Sequence, residues 1–138
     1  MKNNISTVPI PKCEEVKSYL PQSKERKEVF DQYKKYYNRI IDIPMYIDGR
    51  NVKTKTHKNI SPPHDHKHVV GKYHVGEEKH VKAAINAALK AKNQWEQTPW
   101  EARASIFLKA AELLAGPYRQ KMNATTMIGQ SKNVFQAE

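Results

Sequence analysis

A chain of 138 residues with 24 Lys+Arg, 14 Asp+Glu and a single Cys suits one small domain or a segment of a larger one. The lone Cys excludes an internal disulfide scaffold, no apolar run approaches the ~18 residues of a membrane span, and no repeat period marks a solenoid or collagen. The formal charge of +10 is shared by both halves without a run of five like charges, which argues against the blocky basic arm of a nucleic-acid binder.

Residues 1–22 contain Pro9, Pro11 and Pro21 and no helical period, so they read as an extended arm. No apolar stretch follows Met1-Lys2, which disfavours a secretory signal. Lys2, Ser6, Thr7, Lys12 and Lys17 suit a mitochondrial presequence, whereas Glu14-Glu15 and the absence of Arg before Arg26 do not.

A helix is predicted from Ser23, the N-cap, with Glu25 in the first turn where its charge suits the helix dipole. Val29, Phe30, Tyr33, Tyr37 and Ile40 fall at helical spacing. The rings lie among Lys34, Lys35 and Arg39, so two readings arise: a stacking surface for single-stranded nucleic acid, or an amphipathic helix with its rings toward a core. The period favours the core.

Pro44 then blocks helix, and Met45-Tyr46-Ile47 with Asp48-Gly49 predicts a hairpin. Its returning strand, over Arg50 to Thr56, holds Val52 as its one strong apolar residue, and Lys53 and Lys55 suit an edge. Asn59-Ile60-Ser61 is a short extended segment, Pro62-Pro63 a break, and His68 to Val75 a further strand. His64, Asp65, His66 and His68 admit two readings, a metal site or a His-rich polar turn. No second ligand cluster accompanies them, which favours the turn.

From Gly76 the chain is predicted helical. Glu77 and Glu78 open a helix over 77–97 with Val81, Ala84, Ile85, Ala88 and Trp95 on one stripe. Thr98-Pro99-Trp100-Glu101 predicts a capping box, with Thr98 as cap and Pro99 first in the helix. That helix, 99–115, is expected to bury Trp100, Ala104, Phe107, Leu108, Ala111 and Leu114 before Gly116-Pro117 stops it. Pro117 starts the next, with Met122, Thr125 and Ile128 inward and Gly129 at its end. Ser131 is the expected cap of a last helix with Val134 and Phe135 buried. That helix reaches Glu138 without a stop signal, so the sequence reads as cut within an element.

Met45 to Glu138 resembles the N-terminal part of the aldehyde dehydrogenase superfamily. The stretches that carry the likeness are "YIDGR", "ISPPHDHKHVVGKYHVG", "EEKHVKAAINAALKAKNQW" and "TPWEARASIFLKAAELL". Within the superfamily, "SPPHDHKHVVGKY", "ARASIFLKAAELLAGPYR" and "TTMIGQSKNVFQAE" resemble the 1-pyrroline-5-carboxylate dehydrogenase branch.

The resemblance implies an α/β aldehyde-dehydrogenase-like fold, of which this chain holds an N-terminal fragment: a helix, a short hairpin and strand, then three to four helices. Residues 23–138 would be part of an incomplete cofactor domain. The branch oxidises L-glutamate γ-semialdehyde to glutamate in proline degradation, with a Cys nucleophile, a Glu base and NAD. Those residues lie downstream in the family. Cys13 lies before the matching region, beside Glu14-Glu15, and the five glycines form no phosphate-cradling loop. The resemblance therefore assigns no catalytic, cofactor-binding or metal residue to this chain, and no cofactor to it alone. It implies inactivity in isolation, and as partner the remainder of the enzyme or a full-length homologue, with self-association through uncovered apolar stripes. Nucleic acid and membrane are not expected partners. The location implied is mitochondrial, or cytoplasmic without a working presequence. The alternatives are a non-catalytic module docking on a full-length homologue and a basic nucleic-acid-binding module.

Overall fold

The computed structural model describes residue 10 and residues 12–138. The first part of the predicted arm, with Pro9, Pro11, Lys2, Ser6 and Thr7, lies outside the described residues. Residues 12–20 are free of helix and strand, as expected of an arm, but they are not uniformly solvated: Tyr19 is 0% exposed.

Helix α1 (Lys24–Tyr37) begins at the predicted cap, where the Ser23 side chain accepts the Arg26 amide at 3.3 Å. Val29 is its fully buried residue, and Tyr33 packs beside it. The expected apolar face is narrower than its spacing suggests, because Phe30 and Ile40 remain exposed.

Strands β1 (Ile41–Ile43), β4 (His57–Ile60) and β5 (Gly71–His74) form one sheet in the order β1-β5-β4. β1 runs parallel to β5, with Ile41 opposite Gly71, and β4 runs antiparallel to it, with Ile60 opposite Gly71. β1 was not expected. Three residues carry little periodicity, and the partner lies thirty positions downstream. β5 also starts later than predicted, leaving Val69 and Val70 ahead of it.

Strands β2 (Met45–Ile47) and β3 (Arg50–Val52) form the predicted hairpin. Asp48 and Gly49 both have positive φ, 50° and 73°, the pairing a two-residue hairpin turn requires. The returning strand is shorter than Arg50 to Thr56, because Thr54 turns to bond Thr56 and Val75 carbonyls through its hydroxyl.

Helix α2 (Glu78–Gln97) is capped by Glu77 in a box with His80. α3 (Trp100–Ala115) follows, and here the predicted cap is wrong. Thr98 closes α2 instead, donating its hydroxyl to the Gln94 carbonyl at 2.9 Å, and Pro99 takes the cap position of α3 without a side-chain bond. The hydroxyl bonds back into the turn it ends, a local bond that Ser and Thr side chains readily make to the carbonyl four residues earlier. α3 stops at Gly116 as expected, where a Cβ would lie 2.9 Å from the Glu112 carbonyl.

α4 (Arg119–Gln130) buries Asn123, Ala124, Met127 and Ile128, while Met122 is exposed. Its inward face is thus rotated from the predicted one. Ser131, at φ 54°, terminates α4 in the left-handed conformation, and Asn133 caps α5 (Val134–Ala137) reciprocally with Gln136. Val134 is buried as expected; Phe135 is not.

The core joins the arm to these elements: Tyr19, Val29, Ala124, Met127 and Val134, with Tyr33 and Ala137 against them. α1 packs along α4, α2 meets β2 and α3 meets α4. α2 and α3 bury no residue. Trp100 is 50% and Phe107 69% exposed, contrary to the burial expected for α3 and in keeping with uncovered stripes. Among the described residues no helix is long and apolar enough to cross a membrane.

Two substitutions test these local assignments. Gln22 is exposed at φ 68°, where a side chain costs about 1–2 kcal/mol that glycine avoids. Gln22→Gly should stabilise the chain by about 0.5–1 kcal/mol after the entropy cost of glycine, and so raise the urea midpoint. Thr98→Ala, which removes no cap from α3, should change stability by less than about 0.5 kcal/mol in the same measurement.

Candidate functional site

The densest polar constellation lies where the arm, α4 and the end of α5 meet. Arg119 and Asn123, one turn apart on α4, face Glu138. Arg119 donates through Nη2 to Glu138 Oε1 and through Nε to Oε2 at 3.3 Å, and Asn123 donates to Oε2 at 2.6 Å. From the arm, the Tyr19 hydroxyl donates to Oε2 at 2.6 Å and the Lys17 amide to Oε1 at 3.0 Å. Tyr19 in turn accepts from Asn123 at 2.9 Å. Arg119 also holds the Glu15 carbonyl at 2.6 Å.

The Glu138 side chain is 2% exposed. Burial alone would push its carboxyl upward, but the bonds from Arg119, Tyr19, Lys17 and Asn123 outweigh it and lower the pKa to about 2. Burial first, and then the Glu138 carboxylate, push the Tyr19 phenol up. The bond to Glu138 raises the already basic Arg119. A carboxylate held this low is neither a general acid nor a competent base at neutral pH. Its chemistry is that of a fixed negative charge. A cleft of about 200 Å³ opens beside it, lined by Glu14, Leu114, Arg119, Met122, Asn123 and Glu138. Nothing in the sequence singles out Tyr19, Arg119 or Glu138, because the groups that meet are up to 121 positions apart.

The His-rich segment is engaged elsewhere. His68 lies on the Tyr37 ring with centroids 4.1 Å apart, and its Nε2 donates to the Tyr37 carbonyl at 2.6 Å. Tyr37 donates its hydroxyl to Asp65 at 3.0 Å, which raises the phenol and lowers the carboxyl. His64 bonds Ser131 at 2.7 Å, and His66 is exposed. These side chains point to separate partners, and among the described residues no three His, Cys, Asp or Glu groups are placed to hold a metal ion. The rings of α1 are likewise occupied within the chain: Tyr33 stacks on Tyr37 at 5.6 Å, and Lys121 lies over Tyr36.

A second polar clamp also escaped the sequence. His74 donates through Nε2 to Asp42 at 3.0 Å and its Nδ1 lies 2.9 Å from the Thr54 amide and 2.7 Å from the Thr54 carbonyl, bonding one or the other, while Lys53 pairs with Asp42 at 2.6 Å. It ties β1 and β5 to the segment after β3.

Cys13 is exposed on the arm. The glycines do not make a dinucleotide cradle. Gly71 lies inside β5 with the Ile41 carbonyl 3.2 Å from its missing Cβ, Gly76 packs against Met45, and Gly116 closes α3. Gly49 sits in the hairpin turn, and Gly129 lies inside α4 with open space beside it.

Comparison with known proteins gives one consistent family. The profile of the "Aldehyde dehydrogenase family" matches residues 49–138. A Schizosaccharomyces pombe protein named "Probable delta-1-pyrroline-5-carboxylate dehydrogenase" is 45% identical over 132 residues, which is 95% of this chain and 24% of that protein. The Dictyostelium discoideum "Delta-1-pyrroline-5-carboxylate dehydrogenase, mitochondrial" is 35% identical over 96% of this chain and 24% of its own length. The crystal structure of the Mycobacterium tuberculosis Delta-pyrroline-5-carboxylate dehydrogenase bound with NAD superposes with a TM-score of 0.94 at 39% identity, over 99% of this chain and 26% of that one. The chain thus spans about a quarter of the length of these relatives.

The Glu138 cluster gives a signed pH dependence. The folded-state pKa lies below the ordinary 4.5, so its stabilisation is complete above about pH 4.5 and is lost as pH falls toward 2. At about 1.4 kcal/mol per pKa unit the contribution is on the order of 3 kcal/mol. Glu138→Gln should remove it, flattening the stability profile of this region between pH 5 and pH 2 in urea titrations at each pH. Arg119→Ala, which strands a buried carboxylate, should cost about 3–5 kcal/mol at pH 7.

Proposed function

We propose, since this chain belongs to the aldehyde dehydrogenase family, that it forms the N-terminal quarter of an NAD-dependent 1-pyrroline-5-carboxylate dehydrogenase. The whole enzyme would oxidise L-glutamate γ-semialdehyde to glutamate, with water supplying the oxygen and NAD accepting the hydride. The observation that carries this reading is the superposition on the NAD-bound M. tuberculosis enzyme over nearly the whole of this chain. The mitochondrial name of the D. discoideum relative supports a mitochondrial location.

The part assigned to this segment is scaffolding. The reaction needs a thiolate nucleophile, a base and a dinucleotide cradle. Cys13, on an exposed arm, has no base or cationic partner among its described bonds, and Glu138 is held too acidic to act as the base. The segment instead offers the apolar residues of α2 and α3 (Val81, Ile85, Trp100, Phe107, Leu108) as a face for the remaining three quarters of the enzyme. Burying such side chains is worth roughly 1.5–3 kcal/mol each, so the union is strongly favoured. The same face supports a second reading, a non-catalytic module that docks on a full-length homologue.

The test is NADH formation from glutamate γ-semialdehyde. The purified 138-residue chain should give no turnover. Co-expression with the remaining segment of such a dehydrogenase should restore it and reduce binding of the dye ANS to the chain. Turnover by the chain alone, abolished by Cys13→Ala, would sink this assignment. A chain that binds the intact homologue but never complements the missing segment would select the docking module.

A further inference from the structure

We propose that residues 15–22 form a latch, closed on α4 and α5 only while the Tyr19 hydroxyl and the Lys17 amide engage the Glu138 carboxylate. The arm has an unfavourable backbone at both ends of its turn, with Tyr19 at φ 49° and Gln22 at φ 68°. For a bulky residue such as Tyr19 that conformation is an outlier, which a free arm would abandon. It persists because surrounding contacts over-determine it. The Ser23 amide closes the turn on the Leu20 carbonyl at 3.0 Å, and Arg26 holds the Tyr19 carbonyl at 3.1 Å. The ring enters the core edge-on to Phe135, with centroids 6.4 Å apart.

Among the described residues of the arm, Tyr19 is the buried one. Val16 and Leu20, on either side, are exposed, so docking rests on the Tyr19 ring and on bonds that converge on Glu138 and Arg119. Few apolar contacts and a strained turn make a unit that opens without the rest of the molecule. The charged side chain facing Glu138 is Arg119 from α4, itself under the influence of Glu14, and the titratable group facing it from the arm is the Tyr19 phenol; Lys17 and Glu15 contribute only a backbone amide and a backbone carbonyl. Coupling between arm and carboxylate is reciprocal: the docked arm helps hold Glu138 ionised, and ionised Glu138 holds the arm.

Limited trypsinolysis of the 138-residue chain reads the latch at Lys17, whose amide is one of its bonds. Cleavage tracks the open population when closing is fast. Loss of a hydrogen bond to a charged group shifts that population by about tenfold or more. Tyr19→Phe and Glu138→Gln should each speed cleavage after Lys17 by about this factor, with cleavage after Lys90 and Lys92 in α2 unchanged. An unchanged rate at Lys17, an equal rise at all sites, or wild-type cleavage at Lys17 as fast as in a free peptide would each overturn the latch. Amide exchange of Lys17, corrected for its intrinsic pH dependence, gives a second readout. Protection should fall between pH 4.5 and about 2 in the wild type and show no such step in Glu138→Gln. A wild-type profile that parallels the α2 amides would also overturn the proposal.

Discussion

A carboxylate taken out of water must be met by donors, and Glu138 is met from two sides. Arg119 and Asn123 approach from α4, Tyr19 and the Lys17 amide from the arm, and α5 delivers the carboxylate itself. The core has the same membership: Tyr19 from the arm, Ala124 and Met127 from α4, Val134 from α5, and Val29 from α1 across from them. Polar network and apolar core are therefore one structure. The ring of Tyr19 belongs to the core and its hydroxyl to the network, so one side chain of the arm takes part in both.

Away from that junction the chain is less closed. The sheet β1-β5-β4 and the hairpin are short, and an apolar cleft of about 240 Å³ lies between sheet and α4, lined by Tyr36, Ile41, Ile43, Ile60 and Ile128 among others. α2 and α3 project most of their apolar residues outward. Such surface is uncommon on a self-sufficient domain and ordinary on a segment whose neighbours complete it. Relatives about four times longer agree with that reading.

Signals that act within a few residues were legible in the sequence. The Ser23 cap, the Asp48-Gly49 turn and the Gly116 stop each depend on one residue and its immediate backbone, and each stands where it was placed. The family motifs were legible too, and the profile and relatives agree with them. Errors gathered where two local signals competed. Thr98 could serve either neighbouring helix and served the earlier one. Ser131, the expected cap of the last helix, instead ends α4 in a left-handed turn, and Asn133 takes the role. What was illegible is non-local: the parallel pairing of β1 with β5, the burial of Tyr19 within a proline-bounded arm, and a carboxylate at position 138 bonded to residues 17 and 19. The inward faces of α2 and α3 were misjudged for a related reason. Periodicity shows which side is apolar, not whether this segment contains what covers it.

The account stands most directly on the charge state of Glu138. Carboxyl-carbon NMR of the folded chain, with Glu138 identified by its loss in Glu138→Gln, reads that state without reference to stability. The expected titration midpoint is about 2, well below the ordinary 4.5. A midpoint near the ordinary 4.5 would mean that Arg119, Tyr19 and Lys17 do not gather on this carboxylate, and would contradict it.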